Sequence, residues 1–376
     1  MRIAMITETY PPEVNGVART VMEMVEGLRA RGHSIELTRP RQNRHDRAFI
    51  DGNLVERLGR GLAIPRYPQL KMGLPLTGEL VRAWSEKRPD LVHIATEGPL
   101  GWSALSAARK LKIKVATDFH TNFQIYSRHY GMGWMASPVM AYLRRFHNRA
   151  DCTMVPTLEL ADELGAAGFR GLKIVGRGVN PAVFSPAKRS EELRASWGAN
   201  ADTPVAICVS RFAREKNFPM VIRAYEAMRQ VRPDTKLVLV GDGPMAEELK
   251  KRNPLGYVIA GRLVNGKLSA HYASGDIFIF PSTSETFGNV TLEAMASGLG
   301  IVAYRYAAAR EHLQHGISAL LPEPDDEASF LAECRRLALD LPLARKLGAA
   351  ARTASESITW DRIASDFEKV LVDVAA

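Results

Sequence analysis

The stretch IFIFPSTSETFGNVTLEAMASG, residues 277–298, predicts a strand, a turn and a helix in succession. Its first four residues are β-branched or aromatic, and the proline after them closes a short buried strand. Residues 292–296 are mainly apolar and predict a short helix that stops at Gly298. Glu285 is therefore expected at the carboxyl end of the strand, and Glu293 within the helix that follows.

This strand-to-helix turn is a candidate binding site, because open α/β sheets bind ligands at the carboxyl ends of their strands. The helix start at Gly288, Asn289 and Val290 offers unpaired backbone N–H groups and the positive end of a helix dipole, which suit a phosphate. Carboxylates on both sides suit a ligand with hydroxyls at both ends and phosphates between them, such as a nucleotide sugar. On spacing alone, the simpler alternative is a capped, half-buried helix whose acids are solvated.

Strands and helices alternate along the whole chain, which is typical of doubly wound parallel sheets. At 376 residues the chain is long enough for two domains, and a connection rich in glycine and proline lies at residues 176–186. We therefore predict an α/β protein with two Rossmann-like domains, residues 1–180 and 181–358, facing each other across a cleft. A last helix at 359–376 is expected to pack back on the first domain. The strands are predicted at residues 3–7, 34–37, 91–94, 115–117, 153–156, 204–210, 236–241, 257–260, 277–281 and 300–304.

The composition is that of an ordinary globular protein, with 46% hydrophobic and 24% charged residues. No apolar run reaches the roughly 18 to 20 residues that span a bilayer. The three cysteines are far apart, which argues against a disulfide framework or a zinc site and is typical of the reducing cytosol. Residues 1–180 hold 26 Lys and Arg against 17 Asp and Glu, whereas the remaining residues hold 24 of each. A basic half predicts an anionic partner, and phosphates, nucleic acid and an anionic membrane all qualify.

Polar residues follow several other predicted strands. Asn15 and Gly16 precede the first helix and allow a tight turn with positive φ that could admit a ligand. His120 follows the fourth strand and is expected to point into the cleft, where it could bond a sugar hydroxyl or transfer a proton. Arg211 and Lys216 follow the first strand of the second domain, where two fixed cations could neutralise a diphosphate and stabilise charge on a departing nucleotide.

The stretch Gly241-Asp242-Gly243-Pro244-Met245-Ala246 fits the G-x-G-x-x-A pattern of dinucleotide-binding folds. It follows the second strand of its domain rather than the first, and no acid stands about 20 residues further on to bind a ribose. A nicotinamide-dependent enzyme is therefore a weak alternative. A nucleic-acid-binding protein is also disfavoured, because the chain has no recognised nucleic-acid module and no basic stripe with interleaved aromatic residues.

Taken in order, these segments resemble the retaining glycosyltransferases of the GT-B fold, the large family of mannosyl-, glucosyl- and sulfoquinovosyl-transferases. The resemblance covers nearly the whole chain. It rests on Pro11-Pro12, Asn15-Gly16-Val17, Phe119-His120-Thr121, Gly178-Val179-Asn180, Phe184 with Pro186, Arg211 with Lys216, Gly241-Asp242-Gly243-Pro244, Glu285-Thr286-Phe287-Gly288, Glu293-Ala294 and Ser297-Gly298.

The resemblance implies a role for each candidate residue. Arg211 and Lys216 would hold the donor diphosphate, Glu285 would contact the hydroxyls of the donor sugar, and Glu293 would hold the ribose. His120 would lie near the 6-position of the sugar and, with Arg211, Lys216 and Glu285, would form the catalytic group. Members of the family keep the anomeric configuration, with front-side attack as the favoured account, and need neither a metal nor a cofactor besides the nucleotide sugar. The remaining donor-binding positions are Gly16 beneath the phosphates, Gly288, Asn289 and Val290 at the helix start, and Gly261, Arg262 and Leu263 near the base.

Within the family, the sequence most resembles lipid-directed GDP-mannose-dependent α-mannosyltransferases, and sulfoquinovosyl-diacylglycerol synthases slightly less. The resemblance lies in residues 118–123, in residues 176–179, and in Tyr304 with residues 307–311. It implies transfer of mannose from GDP-mannose to a lipid-linked or glycolipid acceptor, by a cytoplasmic protein peripheral to the inner face of the plasma membrane. A UDP-sugar-dependent sulfoquinovosyl- or glucosyltransferase acting on diacylglycerol and a sugar-nucleotide 2-epimerase remain alternatives.

Basic residues of the first domain are mixed with short apolar stretches, which suits an anionic membrane surface at about 1 kcal/mol per cation. An ordinary acceptor-binding surface is the alternative. The cations are Arg39, Arg41, Arg44, Arg47, Arg66, Lys71, Arg82, Lys87 and Arg88, and the apolar residues are Leu70, Met72, Leu74 and Leu76.

Overall fold

The computed structural model describes residues 1–13, 15–64, 67–120, 136–251 and 253–376, without the side chains of residues 64, 67–70 and 136. Within these ranges the chain divides into two units. The first unit contains the described residues up to Arg177 together with Trp360–Ala376, and the second unit is Gly178–Thr359. The predicted boundaries after residues 180 and 358 lie within three residues of these divisions. Residues 121–123, Arg66 and the side chain of Leu70 lie outside the described part.

A mostly parallel sheet forms the centre of the first unit. Its strands are β1 (Arg2–Ile6), β2 (Ser34–Pro40), β3 (Ile50–Asp51), β4 (Leu54–Gly59), β7 (Leu91–Ile94), β8 (Lys114–Asp118), β9 (Cys152–Val155) and β10 (Leu172–Ile174). The strands β5 (Gly61–Ile64) and β6 (Tyr67–Gly73) form a separate two-stranded sheet. The sheet order is β10-β9-β8-β7-β1-β2-β4-β3, and β3 runs antiparallel to β4. The chain thus builds outwards from β1 in one direction and then crosses to β7 to build in the other.

The helices of the first unit are amphipathic and pack against this sheet. In α1, Val21, Val25 and Leu28 recur at helical spacing and are at most 2% exposed, so that one apolar stripe faces the core. Asn15 caps the start of this helix by accepting the backbone N–H of Ala18 at 2.8 Å. The helices described before Arg177 are α1 (Gly16–Ala30), α2 (Thr77–Glu86), α3 (Pro99–Leu111), α4 (Ala136–His147) and α5 (Leu158–Ala166).

A parallel sheet of order β13-β12-β11-β14-β15 forms the centre of the second unit. Ile277 and Phe278 of its strand β14 are fully buried, as a strand covered on both faces requires. The strands are β11 (Val205–Val209), β12 (Lys236–Val240), β13 (Val258–Gly261), β14 (Ile277–Phe280) and β15 (Gly300–Ala303). The helices are α6 (Glu191–Ser196), α7 (Phe218–Val231), α8 (Ala246–Lys251), α9 (Asn265–Ser274), α10 (Asn289–Ala296), α11 (Ala307–His312), α12 (Glu327–Leu339) and α13 (Leu341–Ser355).

The last helix, α14 (Trp360–Ala375), belongs to the first unit and packs on α1, β7 and β8. Its Phe367 is fully buried and lies edge-on to the ring of His93 at 5.0 Å between centroids. Among the described helices, none combines the length and the apolar character needed to cross a membrane.

Candidate active site

The predicted site residues of the second unit lie at or beyond the carboxyl ends of its strands. Arg211 and Lys216 follow β11, Gly261 ends β13, and Glu285 and Glu293 follow β14. Because these strands are parallel, their carboxyl ends lie at one edge of the sheet. This edge is the candidate site of the second unit.

The structure brings Lys216 and Glu285 into direct contact, with Lys216 Nζ donating to Glu285 Oε1. Ser282 Oγ donates to the same carboxylate oxygen at 2.6 Å. The two charged side chains are only 11% and 13% exposed, so their attraction is weakly screened by solvent. The ammonium and the carboxylate are thus held at fixed positions at the end of the sheet.

Backbone contacts hold the two loops that carry this pair. Lys216 ends a short 3-10 turn, Arg214–Lys216, and Asn217 follows it in the left-handed conformation at φ 54°. Ser284 Oγ donates to the carbonyl of Glu215 at 2.9 Å. The loop after β14 therefore bonds directly to the loop after β11, which explains why residues 69 positions apart in sequence meet.

The start of α10 lies next to Glu285. Gly288 precedes the helix at φ 93°, a conformation that an L residue with a side chain rarely adopts. The turn is fixed further by Tyr306, whose hydroxyl donates to the carbonyl of Glu285 at 3.1 Å, and by Ala308, whose N–H donates to the carbonyl of Phe287 at 2.9 Å. The helix start predicted at Gly288, Asn289 and Val290 is confirmed, since α10 begins at Asn289.

Glu293 lies in α10, as predicted, and is 8% exposed. Its Oε2 accepts the hydroxyl of Tyr272 at 2.9 Å. Sequence reasoning does not identify Tyr272, because this residue lies in the apolar face of α9 and reads as core. Its ring is fully buried among the aromatic residues Phe184 and Phe278.

The remaining donor-binding candidates of the second unit lie along the same edge of the sheet. Arg211 is exposed, Gly261 has left-handed backbone at φ 73°, and a Cβ added to Gly261 would meet open space. Arg262 is half-exposed and pairs with Asp242 at 3.6 Å. Leu263 is partly buried against the hydrophobic core.

The Gly241-Asp242-Gly243 turn has a structural reason for its glycines. A Cβ on Gly241 would lie 1.8 Å from the carbonyl oxygen of Ser210, and one on Gly243 would lie 2.5 Å from that of Phe212. Both glycines therefore let this turn pack backbone to backbone on the loop that carries Arg211. The dinucleotide-like pattern is explained by this close approach.

The prediction of a positive φ at Asn15 and Gly16 is wrong. Asn15 is extended at φ −152°, and Gly16 is already the first residue of α1. Because the Asn15 side chain caps the helix and its Nδ2 donates to Thr9 Oγ1 at 2.8 Å, the turn needs no left-handed residue. Gly16 itself is exposed at the helix start.

His120 lies beyond β8 with a side chain that is only 4% exposed. Its Nε2 is 3.4 Å from Asp118 Oδ2, and its Nδ1 is 3.3 Å from Arg177 Nη2. His93 Nε2 lies 3.5 Å from the same Asp118 oxygen. Sequence reasoning does not connect His93 with this cluster, which forms because β7 and β8, the strands that contain His93 and Asp118, are neighbours in the sheet.

Two carboxyl groups at the same edge of the first sheet are also missed by sequence reasoning. Glu8 follows β1 and accepts the N–H of Leu100 at 3.0 Å, and Glu97 follows β7 and is 7% exposed. Burial raises the pKa of each to about 7. An acid placed directly after a buried strand is the signal that could have identified both.

The predicted cationic surface of the first domain needs one correction. Arg39 is 4% exposed and bonds to Asp46 at 2.7 Å and to Glu56 at 2.9 Å, because β2 and β4 place their side chains together. It is an internal ion pair and cannot face a membrane. Leu76 is likewise buried, whereas Arg41 is exposed. Also exposed are Arg44, Arg47, Arg82, Lys87, Arg88 and the apolar side chains of Phe49, Ile50, Val55, Leu62 and Met72.

Within the described residues, no group of three or more His, Cys, Asp or Glu side chains is placed to hold a metal ion. The side chains at the edge of the second sheet offer an ammonium, a guanidinium and two carboxylates, and α10 adds a helix start.

Two family models match the chain. Residues 14–183 match the model described as glycosyltransferase family 4, and residues 203–340 match that described as glycosyl transferases group 1. The chain is 32% identical over 380 residues to a GDP-mannose-dependent alpha-mannosyltransferase of Mycolicibacterium smegmatis, covering 99% of this chain and 98% of that protein. It is 29% identical over 368 residues to a sulfoquinovosyl transferase of Arabidopsis thaliana, covering 96% of this chain and 71% of that protein.

Solved structures share the fold. Sucrose-phosphate synthase from Thermosynechococcus elongatus matches with a TM-score of 0.82 at 20% identity, over 99% of this chain and 98% of that chain. Anabaena HepE in complex with UDP-glucose matches with a TM-score of 0.77 at 17% identity, over 99% of this chain and 100% of that chain. Together with the sequence matches, these findings assign the chain to a family. The protein belongs to the group 1 glycosyltransferases and has their GT-B fold, built from two Rossmann-like domains.

Proposed function

We propose that this glycosyltransferase moves mannose from GDP-mannose, with retention of anomeric configuration, to a lipid-linked or glycolipid acceptor. The proposed location is the cytoplasm, with peripheral attachment to the inner face of the plasma membrane. The match to a GDP-mannose-dependent alpha-mannosyltransferase over nearly the full length of both chains supports the choice of donor. The observation that carries the proposal is the contact of Lys216 with Glu285 at the carboxyl edge of the second sheet.

This contact suits a nucleotide sugar because it places a cation and a hydroxyl acceptor side by side. Lys216 would bind the diphosphate, and Arg211 would add a second cation from the same loop. Since Glu285 already holds the ammonium, little side-chain freedom remains to be lost when the donor binds. The N-terminus of α10, which starts at Asn289, adds the positive end of a helix dipole.

Glu285 would accept hydrogen bonds from the hydroxyls of the donor sugar, and Glu293 from the ribose hydroxyls. In the proposed reaction, the bond between the anomeric carbon and the leaving phosphate oxygen breaks while the acceptor oxygen bonds to the same face of that carbon. The acceptor hydroxyl gives its proton to the departing phosphate oxygen. Lys216 and Arg211 would stabilise the negative charge that develops on the departing diphosphate.

A second candidate function is UDP-sugar-dependent transfer of sulfoquinovose or glucose to diacylglycerol. The match to the sulfoquinovosyl transferase of Arabidopsis thaliana favours it. The two candidates differ in the base that they require, and residues 261–263 are the proposed neighbourhood of the base.

Donor specificity separates these functions. The purified protein is incubated with GDP-mannose, UDP-glucose or UDP-sulfoquinovose and vesicles that contain phosphatidylinositol, diacylglycerol or a glycosylated diacylglycerol. We expect a mannosylated lipid with GDP-mannose, in the same anomeric configuration as the donor, by mass spectrometry and NMR. A product only from a UDP-sugar would replace the first candidate by the second. An altered sugar nucleotide without acceptor would indicate an epimerase instead.

Membrane attachment is tested by flotation of the protein with vesicles that contain anionic lipid. Reversing Arg44 and Arg47 to glutamate should abolish flotation, because each cation near an anionic surface contributes about 1 kcal/mol. The matched control reverses Arg345 and Lys346, two exposed cations of α13 in the second unit, and should still float. Equal flotation of both double variants would refute attachment through the first domain.

A further inference from the structure

A buried charged network surrounds His120 in the first unit. Asp118 is 2% exposed and lies 3.5 Å from Arg177 Nη2, 3.4 Å from His120 Nε2 and 3.5 Å from His93 Nε2. Arg177 is 3% exposed, and its Nη1 donates to the carbonyls of Val175 at 2.8 Å and Gly176 at 3.0 Å. The guanidinium is therefore held in place by backbone as well as by the carboxylate.

The contact between Arg177 and His120 determines where the ring proton lies. A guanidinium has only donors, so the Nδ1 atom that faces Arg177 Nη2 at 3.3 Å has to be an acceptor without a proton. The single proton of a neutral ring is then on Nε2, the atom that faces the Asp118 carboxylate. Within the described residues, Nδ1 faces the Arg177 donor, whereas Nε2 faces the Asp118 carboxylate without forming a hydrogen bond.

The charges of the network also favour a neutral ring. The single carboxylate of Asp118 balances the single guanidinium of Arg177, and a proton added to His120 would leave a buried positive charge unbalanced. Burial lowers the pKa of His120, and Arg177 lowers it further, although Asp118 raises it. Among the described residues, the other titratable groups that face the network are His93 of β7, His147 of α4 and the thiol of Cys152 of β9.

We propose that Arg177 and Asp118 are positioning residues: Arg177 disfavours a second proton on His120, and Asp118 keeps the single proton on Nε2, so that His120 meets the donor sugar as a fixed, uncharged group and transfers no proton. The inference rests on the proposed function, together with the position of His120 near the sugar that the family resemblance implies. Glycosyl transfer develops positive charge on the sugar ring. A histidinium beside that charge would oppose the reaction by electrostatic repulsion, which is weakly screened at a buried position.

The first test observes the protonation state of the His120 ring directly and does not require enzyme activity. The ¹⁵N chemical shifts of His120 are measured by NMR in the full-length protein, with His120→Gln used to assign the signal. At pH 7 we expect the neutral ring with an unprotonated Nδ1. A ring protonated at Nδ1, alone or with Nε2, would overturn the proposal.

The second test compares Arg177→Gln with Asp118→Asn, which are expected to have opposite effects on the protonation of His120. Arg177→Gln removes the cation that disfavours protonation, so the acid limb of the kcat profile should move up by about one pH unit. Asp118→Asn removes the anion that favours protonation, so this limb should not move up, although kcat falls at every pH. Arg177→Lys keeps the charge but loses the planar fork, and should lower kcat with the limb unmoved. The matched control is Arg145→Gln, an exposed cation of α4, which should leave the profile unchanged.

The outcomes separate this inference from the proposed function. If the acid limb moved up in both Arg177→Gln and Asp118→Asn, the proposal would be overturned. The two variants remove opposite charges, so a shared shift would reflect a general loss of structure. If either variant fails to fold by circular dichroism, the wild-type NMR experiment and the Arg177→Lys profile still decide. Absence of mannosyl transfer by the wild-type protein, with the expected ring tautomer present, would refute the proposed function and leave the network as a structural finding.

Discussion

The Lys216→Ala variant is expected to bind GDP roughly 100-fold more weakly than the wild-type protein. The Lys216 and Glu285 side chains are only 11% and 13% exposed, so charges at this site are weakly screened by solvent. At an effective dielectric constant of about 20, unit charges about 4 Å apart interact by about 4 kcal/mol. Part of this attraction is offset because the ammonium also loses water when it binds a phosphate. A net loss of about 2 to 3 kcal/mol, the range for hydrogen bonds to charged groups, corresponds to roughly 30- to 150-fold in affinity.

Glu285 adds a second contribution that the variants can separate. Without the Lys216 ammonium, the negative charge of the Glu285 carboxylate repels the diphosphate. The double variant Lys216→Ala, Glu285→Gln should therefore bind GDP about tenfold more tightly than Lys216→Ala alone. Titration calorimetry with GDP measures each variant. The control is Arg214→Ala, which removes an exposed cation from the same turn and should change affinity by less than about twofold. If Lys216→Ala binds GDP as tightly as this control, the diphosphate does not lie at Lys216 and the site assignment fails.

Three further predictions concern stability. Gly241→Ala places its Cβ against a carbonyl oxygen and should lower the free energy of unfolding by about 3 kcal/mol or more, with weaker GDP binding, whereas Gly266→Ala, whose Cβ meets open space, should be nearly neutral in urea unfolding. Burial raises the pKa of Glu97 to about 7, so the folded protein holds a proton that the unfolded chain releases. Stability is therefore lost as the pH rises from about 4.5 to about 7, and the gain of Glu97→Gln over wild type should grow between pH 5 and pH 8 by up to about 3 kcal/mol; equal gains at both pH values would contradict this. Arg194→Met leaves the buried Asp276 without its partner at 2.9 Å and should cost about 3 to 5 kcal/mol, while Arg189→Met at the part-exposed side of the same carboxylate should cost less.

The parallel strands could be predicted from sequence because burial on both faces gives short, continuous apolar runs between turn residues. Residues 91–94 and 277–280 are such runs, and both are strands in the structure. Sequence reasoning misses the strands between residues 50 and 73, because β3 lies at the sheet edge and β5 pairs with β6 in a separate two-stranded sheet, which leaves Ile50 70% and Leu62 54% exposed. One local signal was available: Gly52 adopts φ 53° between β3 and β4, and an Asp-Gly pair is a frequent hairpin turn.

Some contacts among the site residues could be predicted from the sequence, and others could not. Glu285 and Lys216 could be predicted to meet, because each follows a strand and neighbouring parallel strands end at one edge. The partners of His120 could not, because Asp118, His93 and Arg177 come from three segments whose contact depends on strand order and side-chain direction. Sequence spacing places a residue at a strand end, but it does not show whether the side chain faces solvent or a buried counter-charge.

The net positive charge of residues 1–180 likewise does not show which of the charged side chains are exposed. The count of 26 cations and 17 anions in residues 1–180 includes every charged side chain, whether it is exposed or not. Arg39, however, forms ion pairs with Asp46 and Glu56 inside the protein. Only cations that remain exposed can attract an anionic surface, and their effect falls within a Debye length of about 10 Å. Arg44 and Arg47 are exposed in the same segment as Phe49, which is 54% exposed. Membrane contact is therefore expected from this local mixture of exposed cations and apolar side chains, and not from the total number of cations in residues 1–180.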